Sequence, residues 1–194
     1  MFFFGIAATY LAIIYATEKA SNSVTDIILS NIRVFDVDGI FIYGPVLFWI
    51  IIGAYIFFFE PKKIPFTIKS IAVFLLTRSI FLTLTHIGPF PDRIQIYSTG
   101  IFSVFTTGND LFFSSHTGFP FLMALIFWDN KYLRIFSLIA SLIFGTVVLL
   151  GHLHYSIDVF AAFFITYTIF HLNEKLFKKD REIFINGIGN DNSV

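Results

Sequence analysis

The sequence contains no cysteine among its 194 residues. This excludes disulfide bonds, thiolate nucleophiles and cysteine metal ligands, and it leaves the redox compartment open. Charged residues are also scarce: they make up 13% of the chain, about half their share in an ordinary soluble domain. Basic and acidic residues balance at 13 each, so no net charge favours nucleic acid as a partner.

Several catalytic motifs are missing as well. The sequence has no glycine-rich nucleotide loop, no His-Glu-x-x-His metal motif and no Gly-x-Ser-x-Gly nucleophile elbow. Its carboxylates are few and scattered, whereas a magnesium site gathers carboxylates around a phosphate. We therefore expect no metal and no other cofactor, so that any chemistry falls to histidine side chains.

Apolar surface is what the sequence has in abundance. Hydrophobic residues make up 56% of the chain and include 28 phenylalanines, more than a soluble monomer of this length could bury. Crossing the hydrocarbon core takes roughly 20 apolar residues. Six stretches come close to that length: 1–17, 40–59, 65–87, 112–128, 132–150 and 155–172. We predict an all-α membrane protein, a bundle of about six transmembrane helices.

The domain organisation follows from these stretches. We expect one membrane domain over residues 1–178 and a polar cytoplasmic tail over residues 179–194. The first stretch has no Lys or Arg before its apolar run, so we expect a span rather than a cleaved signal peptide. The connection 19–39 mixes apolar and charged residues. It is compatible with a helix lying in the membrane interface or with an irregular loop.

The distribution of Lys and Arg predicts the orientation. Nine of these 13 residues fall within 62–69, 131–134 and 175–181, three lie on the opposite side, and Arg78 lies within a span. Basic residues accumulate on the cytoplasmic side of membrane proteins. We therefore expect a multi-pass protein whose histidine-bearing connections, described next, face the non-cytoplasmic side.

The motif His154-Tyr-Ser-Ile-Asp158 opens the last apolar stretch. Residues four apart share one face of a helix, so Asp158 can accept a hydrogen bond from one nitrogen of His154. Such a bond fixes the tautomer and raises the basicity of the other nitrogen, which suits attack on phosphorus or proton abstraction. An ionisable pair at the start of a span is costly and points to function, with helix capping as the plainer alternative.

A second motif, residues 110–120, contains Ser114, Ser115 and His116. Either serine is a suitable N-cap for the fourth span, and the backbone N–H groups at such a helix start bind anions. His116 would then lie beside a bound phosphate and donate a proton to the leaving oxygen. The alternative is an interfacial histidine with a capping role.

Arg78 lies in the third apolar stretch, roughly ten residues or ~15 Å from its outer end. An arginine at that depth needs an anion, either a phosphate clamped by its planar guanidinium or a carboxylate in a structural ion pair. His86, about two turns further along, could reach the same cavity. We expect His152 to have a loop or supporting role and His171 to take no part.

Together these motifs resemble the type-2 phosphatidic acid phosphatase (PAP2) superfamily, and within it the sphingomyelin synthase branch. Residues 110–117 are similar to that branch's Asp-x-x-x-Ser-Gly-His-Thr motif, and residues 154–159 are similar to its His-Tyr-Ser/Thr-x-Asp-Val motif. Ser115 replaces the motif glycine, and the Lys-x6-Arg-Pro signature of the soluble phosphatases is missing. These departures leave transfer between lipids and simple hydrolysis both open.

The resemblance implies a six-span enzyme with its site on the non-cytoplasmic face, and the missing metal motifs predict a metal-independent mechanism. We expect it to transfer or cleave a phospholipid headgroup phosphate, with a lipid alcohol such as ceramide or diacylglycerol, or water, as the acceptor. The alternatives are a PAP2-type lipid phosphate phosphatase and a non-catalytic membrane scaffold or channel. The expected catalytic residues are His116, His154 and Asp158. The expected phosphate-binding residues are Arg78, Asp110, Ser114, Ser115 and His86.

Overall fold

The computed structural model describes residues 1–96 and 110–186, and within these ranges its regular structure is entirely helical. The α-helices are α1 (Phe2–Lys19), α2 (Asp38–Phe59), α3 (Ile64–Leu84), α4 (Ser115–Ile126), α5 (Lys131–Leu150), α6 (Ser156–Leu176) and α7 (Lys178–Asn186). Two short 3₁₀ helices, Leu29–Asn31 and Pro61–Lys63, lie in the connections. Helices α1 to α6 coincide with the six predicted apolar stretches. The predicted all-α membrane fold is confirmed.

Four of these helices are long and apolar enough to cross a membrane by length and composition: α2, α3, α5 and α6. The predicted crossing at 112–128 is wrong in length, because α4 has 12 residues and extends only ~18 Å at 1.5 Å per residue. It starts late because the carbonyl groups of Asp110 and Phe113 accept hydrogen bonds from the Arg78 side chain. Because these carbonyl groups are bound to Arg78, residues 110–113 do not form the first turn of the helix.

Helix packing divides the bundle into two parts. Helix α1 packs mainly against α3, while α4 packs against α5 and α6, and α2 packs against α5. Contacts between α3 and α6 join the two parts. Helices α1 and α2 are neighbours in sequence, but α1 belongs to the part with α3 and α2 to the part with α5. Side chains of both helices border the cavity described below.

Helix α7 folds back onto the bundle at the end where α3 begins and α6 ends. Phe184 is buried, and the guanidinium of Arg181 lies over its ring, 4.8 Å from the centroid. Lys69 of α3 donates a 2.6 Å hydrogen bond to Asp180. The predicted tail at 179–194 therefore begins with a packed helix. Residues 187–194 lie outside the described residues, and the domain boundary at residue 178 stays a prediction.

The connection between α1 and α2 lies across the opposite end of the bundle. We call its residues 20–37 the clasp. Apart from the 3₁₀ turn at Leu29–Asn31 the clasp is irregular, so the alternative of an interfacial helix is wrong and the loop alternative holds. Its backbone hydrogen-bonds with residues that follow α3 and with the end of α5, and within the clasp only the turn at residues 26–31 bonds with itself. Of the long connection predicted at 88–111, residues 97–109 lie outside the described residues.

Candidate active site

His154 and Asp158 lie at the start of α6, where the sequence motif placed them. His154 precedes the helix, and the helical spacing brings its Nδ1 within 3.3 Å of the Asp158 carboxylate. The same carboxylate oxygen accepts a 2.9 Å hydrogen bond from the backbone N–H of Tyr155. Both side chains are buried, at 5% and 0% exposure. Asp158 therefore holds the first turn of α6 and the imidazole together.

The carbonyl oxygen of Leu111 is the closer partner of His154, 2.8 Å from its Nδ1. A carbonyl oxygen can only accept a hydrogen bond, so Nδ1 carries the hydrogen. The lone pair of the neutral ring is then on Nε2. This contact fixes the tautomer that a nucleophile or a base needs. It is absent from the sequence-based prediction because a backbone carbonyl leaves no residue-type signal.

His116 lies in the first turn of α4 and is half-buried. Its ring stacks on Phe41 of α2, with centroids 4.2 Å apart and an interplanar angle of 18°. Its Nδ1 is buried and has no hydrogen-bond partner in the part of the chain that the structure describes. His116 lies close enough to His154, Asp110 and Arg78 to interact electrostatically with all three. The structure thus brings the two predicted catalytic histidines into one neighbourhood.

Arg78 joins α3 to the segment that precedes α4. Its Nε donates to the Phe113 carbonyl at 2.9 Å, and one terminal nitrogen donates to the carbonyl and the carboxylate of Asp110 at 2.7 and 2.8 Å. The Arg78 side chain is 2% exposed and that of Asp110 is 15% exposed. Arg78 lies under two turns from the end of α3 at Leu84, nearer the end than the sequence suggested. The ion pair matches the second of the two alternatives considered for Arg78.

The two serines occupy different environments. Ser114 is at the N-cap position of α4, as predicted, but its side chain makes no capping hydrogen bond. Its hydroxyl instead accepts a long 3.4 Å hydrogen bond from Thr117. Ser115 is half-buried and borders the cavity. Of the two, Ser115 is the one placed to meet a ligand.

A cavity of about 420 Å³ lies between α1, α2, α3, α4 and α5. Its polar end is formed by Arg78, Asp110, Ser115 and His116. The rest of its wall is mainly apolar and includes Ile13, Val46, Trp49, Leu75, Phe119 and Phe144. His154 and Asp158 are not part of this wall. Ligand pockets commonly have this volume and this mixture of apolar walls with a few polar groups.

The remaining histidines lie apart from this cavity. His86 follows α3, and its ring meets Tyr15 of α1 edge-on, with centroids 5.2 Å apart. His86 is not among the residues that line the cavity. His152 is buried with a positive φ of 53° and borders a second, more polar cavity of about 790 Å³ beside Arg33 and Arg93. His171 is exposed and pairs with Glu174 at 3.0 Å.

Comparison with known proteins agrees with this arrangement. A family model described as the C-terminal part of the PAP2 superfamily matches residues 107–175, which contain both histidines and Asp158. A search of curated proteins and a search of solved structures each found no match. The family match supports a lipid enzyme of the phosphatase or phosphotransferase type, while the sphingomyelin synthase-like branch stays a prediction. With its long apolar helices, the chain is an integral membrane protein, and its residues 107–175 match the C-terminal part of the PAP2 superfamily.

Proposed function

We propose that the protein transfers or cleaves a phospholipid headgroup by a metal-independent mechanism, in the manner of a sphingomyelin synthase-like phosphotransferase. The observation that carries the proposal is His116 at the polar end of an otherwise apolar cavity, with His154 near enough to interact with it electrostatically. One histidine has its tautomer fixed by Leu111 and Asp158. The other has an unsatisfied Nδ1.

The cavity suits a substrate with a polar phosphate and an apolar chain. The phosphate would lie at the start of α4, beside Ser115 and His116, and the chain would lie among the apolar residues of α1 and α2. Because α1 and α2 pack mainly on different helices, we propose that a lipid enters sideways between them. Arg78 contributes to the phosphate site by its ion pair with Asp110, which also lines the cavity.

The chemistry follows from the two rings. Nε2 of His154 attacks phosphorus, and the bond from phosphorus to the lipid oxygen breaks. His116 donates a proton to that leaving oxygen, which yields the free lipid alcohol. The hydroxyl of an acceptor lipid, or water, then attacks the phosphorus of the phosphohistidine, gives its proton to His116 and releases His154. Asp158 keeps the imidazole oriented during both steps.

The test is a product analysis of purified protein in lipid vesicles. The vesicles would contain phosphatidylcholine, phosphatidylethanolamine, phosphatidic acid, ceramide and diacylglycerol. We expect wild type to form a new phosphodiester lipid or free diacylglycerol. His154→Ala should lower the rate by about 10²–10⁴-fold. His171→Ala is the matched control, since His171 is exposed at the far end of α6, and it should keep the wild-type rate.

The products distinguish this proposal from its alternatives. Free phosphate released from phosphatidic acid, with the diesters untouched, would identify a lipid phosphate phosphatase instead. No turnover of any of these lipids by wild type would contradict an enzymatic role on them and favour the non-catalytic alternative. Equal activity of wild type and His154→Ala would overturn the assignment of the nucleophile.

A further inference from the structure

The carboxylate of Asp26 joins the clasp to the start of α6. Its Oδ2 accepts a 2.7 Å hydrogen bond from the backbone N–H of Ser156, which is the first residue of that helix. The two residues are 130 positions apart in sequence. Asp26 is only 7% exposed, and an acceptor at a helix start satisfies an N–H group that the helix itself cannot. Asp26 thus caps α6 from another part of the chain.

The second oxygen of Asp26 organises the clasp itself. Oδ1 accepts hydrogen bonds from the N–H groups of Ile28 and Leu29, at 2.8 and 3.1 Å. This holds the turn from which the Leu29 side chain, 1% exposed, packs in one cluster with Leu111 and Tyr155. Leu111 is the residue whose carbonyl oxygen orients His154. A second route therefore leads from Asp26 to the imidazole, through packing.

Burial and hydrogen bonding act on Asp26 in opposite directions. Burial raises the pKa of its carboxyl group, but the hydrogen bonds from Ser156, Leu29 and Ile28 outweigh burial and leave the pKa below the usual value of 3.8. The carboxylate is therefore ionised at neutral pH and accepts charge-assisted hydrogen bonds, which are the stronger kind. Such contacts suit a residue that must hold its neighbours in one geometry.

The residue between His154 and Ser156 is tied down in the same region. The Tyr155 hydroxyl donates to the Gly88 carbonyl at 2.8 Å and accepts from the Val24 N–H at 3.2 Å. The two residues that follow His154 are therefore both held by contacts with distant parts of the chain. In the part of the chain that the structure describes, no contact of Asp26 reaches the cavity or the ring of His154 directly.

We propose that Asp26 is a positioning residue for His154, because one carboxylate fixes both the start of α6 and the turn that supports the Leu111 carbonyl. The inference rests on the proposed function, since it assigns the purpose of these contacts to His154 chemistry. A positioning residue acts on the rate of the chemical step, and substrate binding in the cavity should be spared. Displacing a reacting group by about 1 Å can cost about 100-fold in rate.

The experiment compares Asp26→Ala and Asp26→Asn with wild type in the vesicle assay, after gel filtration and circular dichroism confirm folded protein. We expect Asp26→Ala to lower kcat by about 10- to 100-fold while KM changes by less than about threefold. The kcat of Asp26→Asn should lie between those of wild type and Asp26→Ala. The single amide oxygen can accept from Ser156 or from the clasp N–H groups, but not from both. The matched control is Asp36→Ala. Asp36 is an exposed clasp residue that binds only the Asp38 N–H in the described structure, and this variant should behave as wild type.

Ser156→Pro approaches the same contact from the other side. Proline is tolerated at the first position of a helix, and Tyr155 already has the extended backbone that a following proline requires, with φ −71° and ψ 157°. The substitution removes both groups of Ser156 that hydrogen-bond to Asp26, the backbone N–H and the side-chain hydroxyl. It should lower kcat in the wild-type background and add no further loss in the Asp26→Ala background, because Asp26→Ala has already removed the contact that Ser156→Pro breaks.

Three outcomes would overturn the inference. A folded Asp26→Ala protein with wild-type kcat would overturn the positioning role and leave the proposed function standing. Losses from Ser156→Pro and Asp26→Ala that multiply in the double variant would show that the two residues act separately. A wild-type protein without turnover on any lipid tested would overturn the proposed function and this inference together, so the two failures are distinguishable.

Discussion

At the scale of single residues, Arg78 illustrates how a buried charge is accommodated in an apolar bundle. Its guanidinium donates to two backbone carbonyl groups and to the Asp110 carboxylate, and only 2% of its side chain is exposed. An isolated charge in this position would cost far more than a paired one. The same contacts set where α4 begins, so Arg78 links electrostatics to the geometry of the site.

Removal of this charge tests its structural role. We expect Arg78→Met to lower the free energy of unfolding by about 3–5 kcal/mol, because it leaves a largely buried carboxylate without its cation. Denaturant unfolding in detergent micelles would measure the change. Lys179→Met is the control, since Lys179 is exposed on α7. Equal stability of the two variants would show that the ion pair contributes little.

The sequence predicted some of these contacts and not others, for a physical reason. Asp158 is four residues from His154, so helical periodicity alone brings them together. Leu111 serves His154 through its backbone carbonyl, which every residue type possesses. Asp26 and Ser156 are 130 positions apart, and no local sequence pattern predicts a contact between residues so far apart.

At the scale of elements, the clasp and the segment that follows α3 approach each other so closely that no further atom fits at Gly88. Gly88 donates its N–H to the Asn22 carbonyl at 3.1 Å and accepts from the Tyr155 hydroxyl. A Cβ atom on Gly88 would fall on the backbone carbonyl of Ser21. Glycine is required here because the two backbones approach each other closely, and not because of a special dihedral angle.

Substituting this glycine should therefore separate the clasp from the segment that follows α3. We expect Gly88→Ala to destabilise the protein by about 1–3 kcal/mol, as overpacking does, and to lower activity because Tyr155 adjoins His154. Gly53→Ala is the control. Gly53 lies in α2 with open space around it, so alanine there should be neutral or stabilising by about 0.5–1 kcal/mol. Thermal unfolding of both variants in detergent would measure this, and similar midpoints would contradict the close fit.

Apolar length predicted where the six main helices lie, since a hydrophobic run of this kind has few other stable structures in a membrane. It did not predict where α4 begins. The phenylalanines at 112 and 113 extend the apolar run, yet side chains from α3 and from the start of α6 bind the backbone on either side of them. Tertiary hydrogen bonds override local composition at this boundary.

At the scale of the whole molecule, the basic residues cluster at one end of the helical bundle. The basic residues Lys62, Lys63 and Lys69 lie near the start of α3, where α7 also packs. His154 and the clasp lie at the opposite end of the bundle. The excess of basic residues at the first end favours a cytoplasmic position for it, which would place the site on the non-cytoplasmic face.

This orientation can be tested cleanly because the chain has no cysteine. We expect Asp36→Cys, in the clasp, to react with a membrane-impermeant maleimide applied to the non-cytoplasmic side of sealed membranes. Lys179→Cys, on α7, should react only after the membrane is permeabilised. Both native side chains are exposed, so access to water within the fold is matched. The opposite labelling pattern would invert the topology.

The contact between Asp26 and Ser156 also has a consequence for biosynthesis. Its partners are separated by 130 positions, so it can form only after the start of α6 has been made. The clasp lacks this contact while α2 to α5 are synthesised and inserted, and such long-range contacts are the slow ones in folding. The geometry around His154 is therefore one of the last features to be completed. A nascent chain that stalls before α6 would be a membrane protein without a working site.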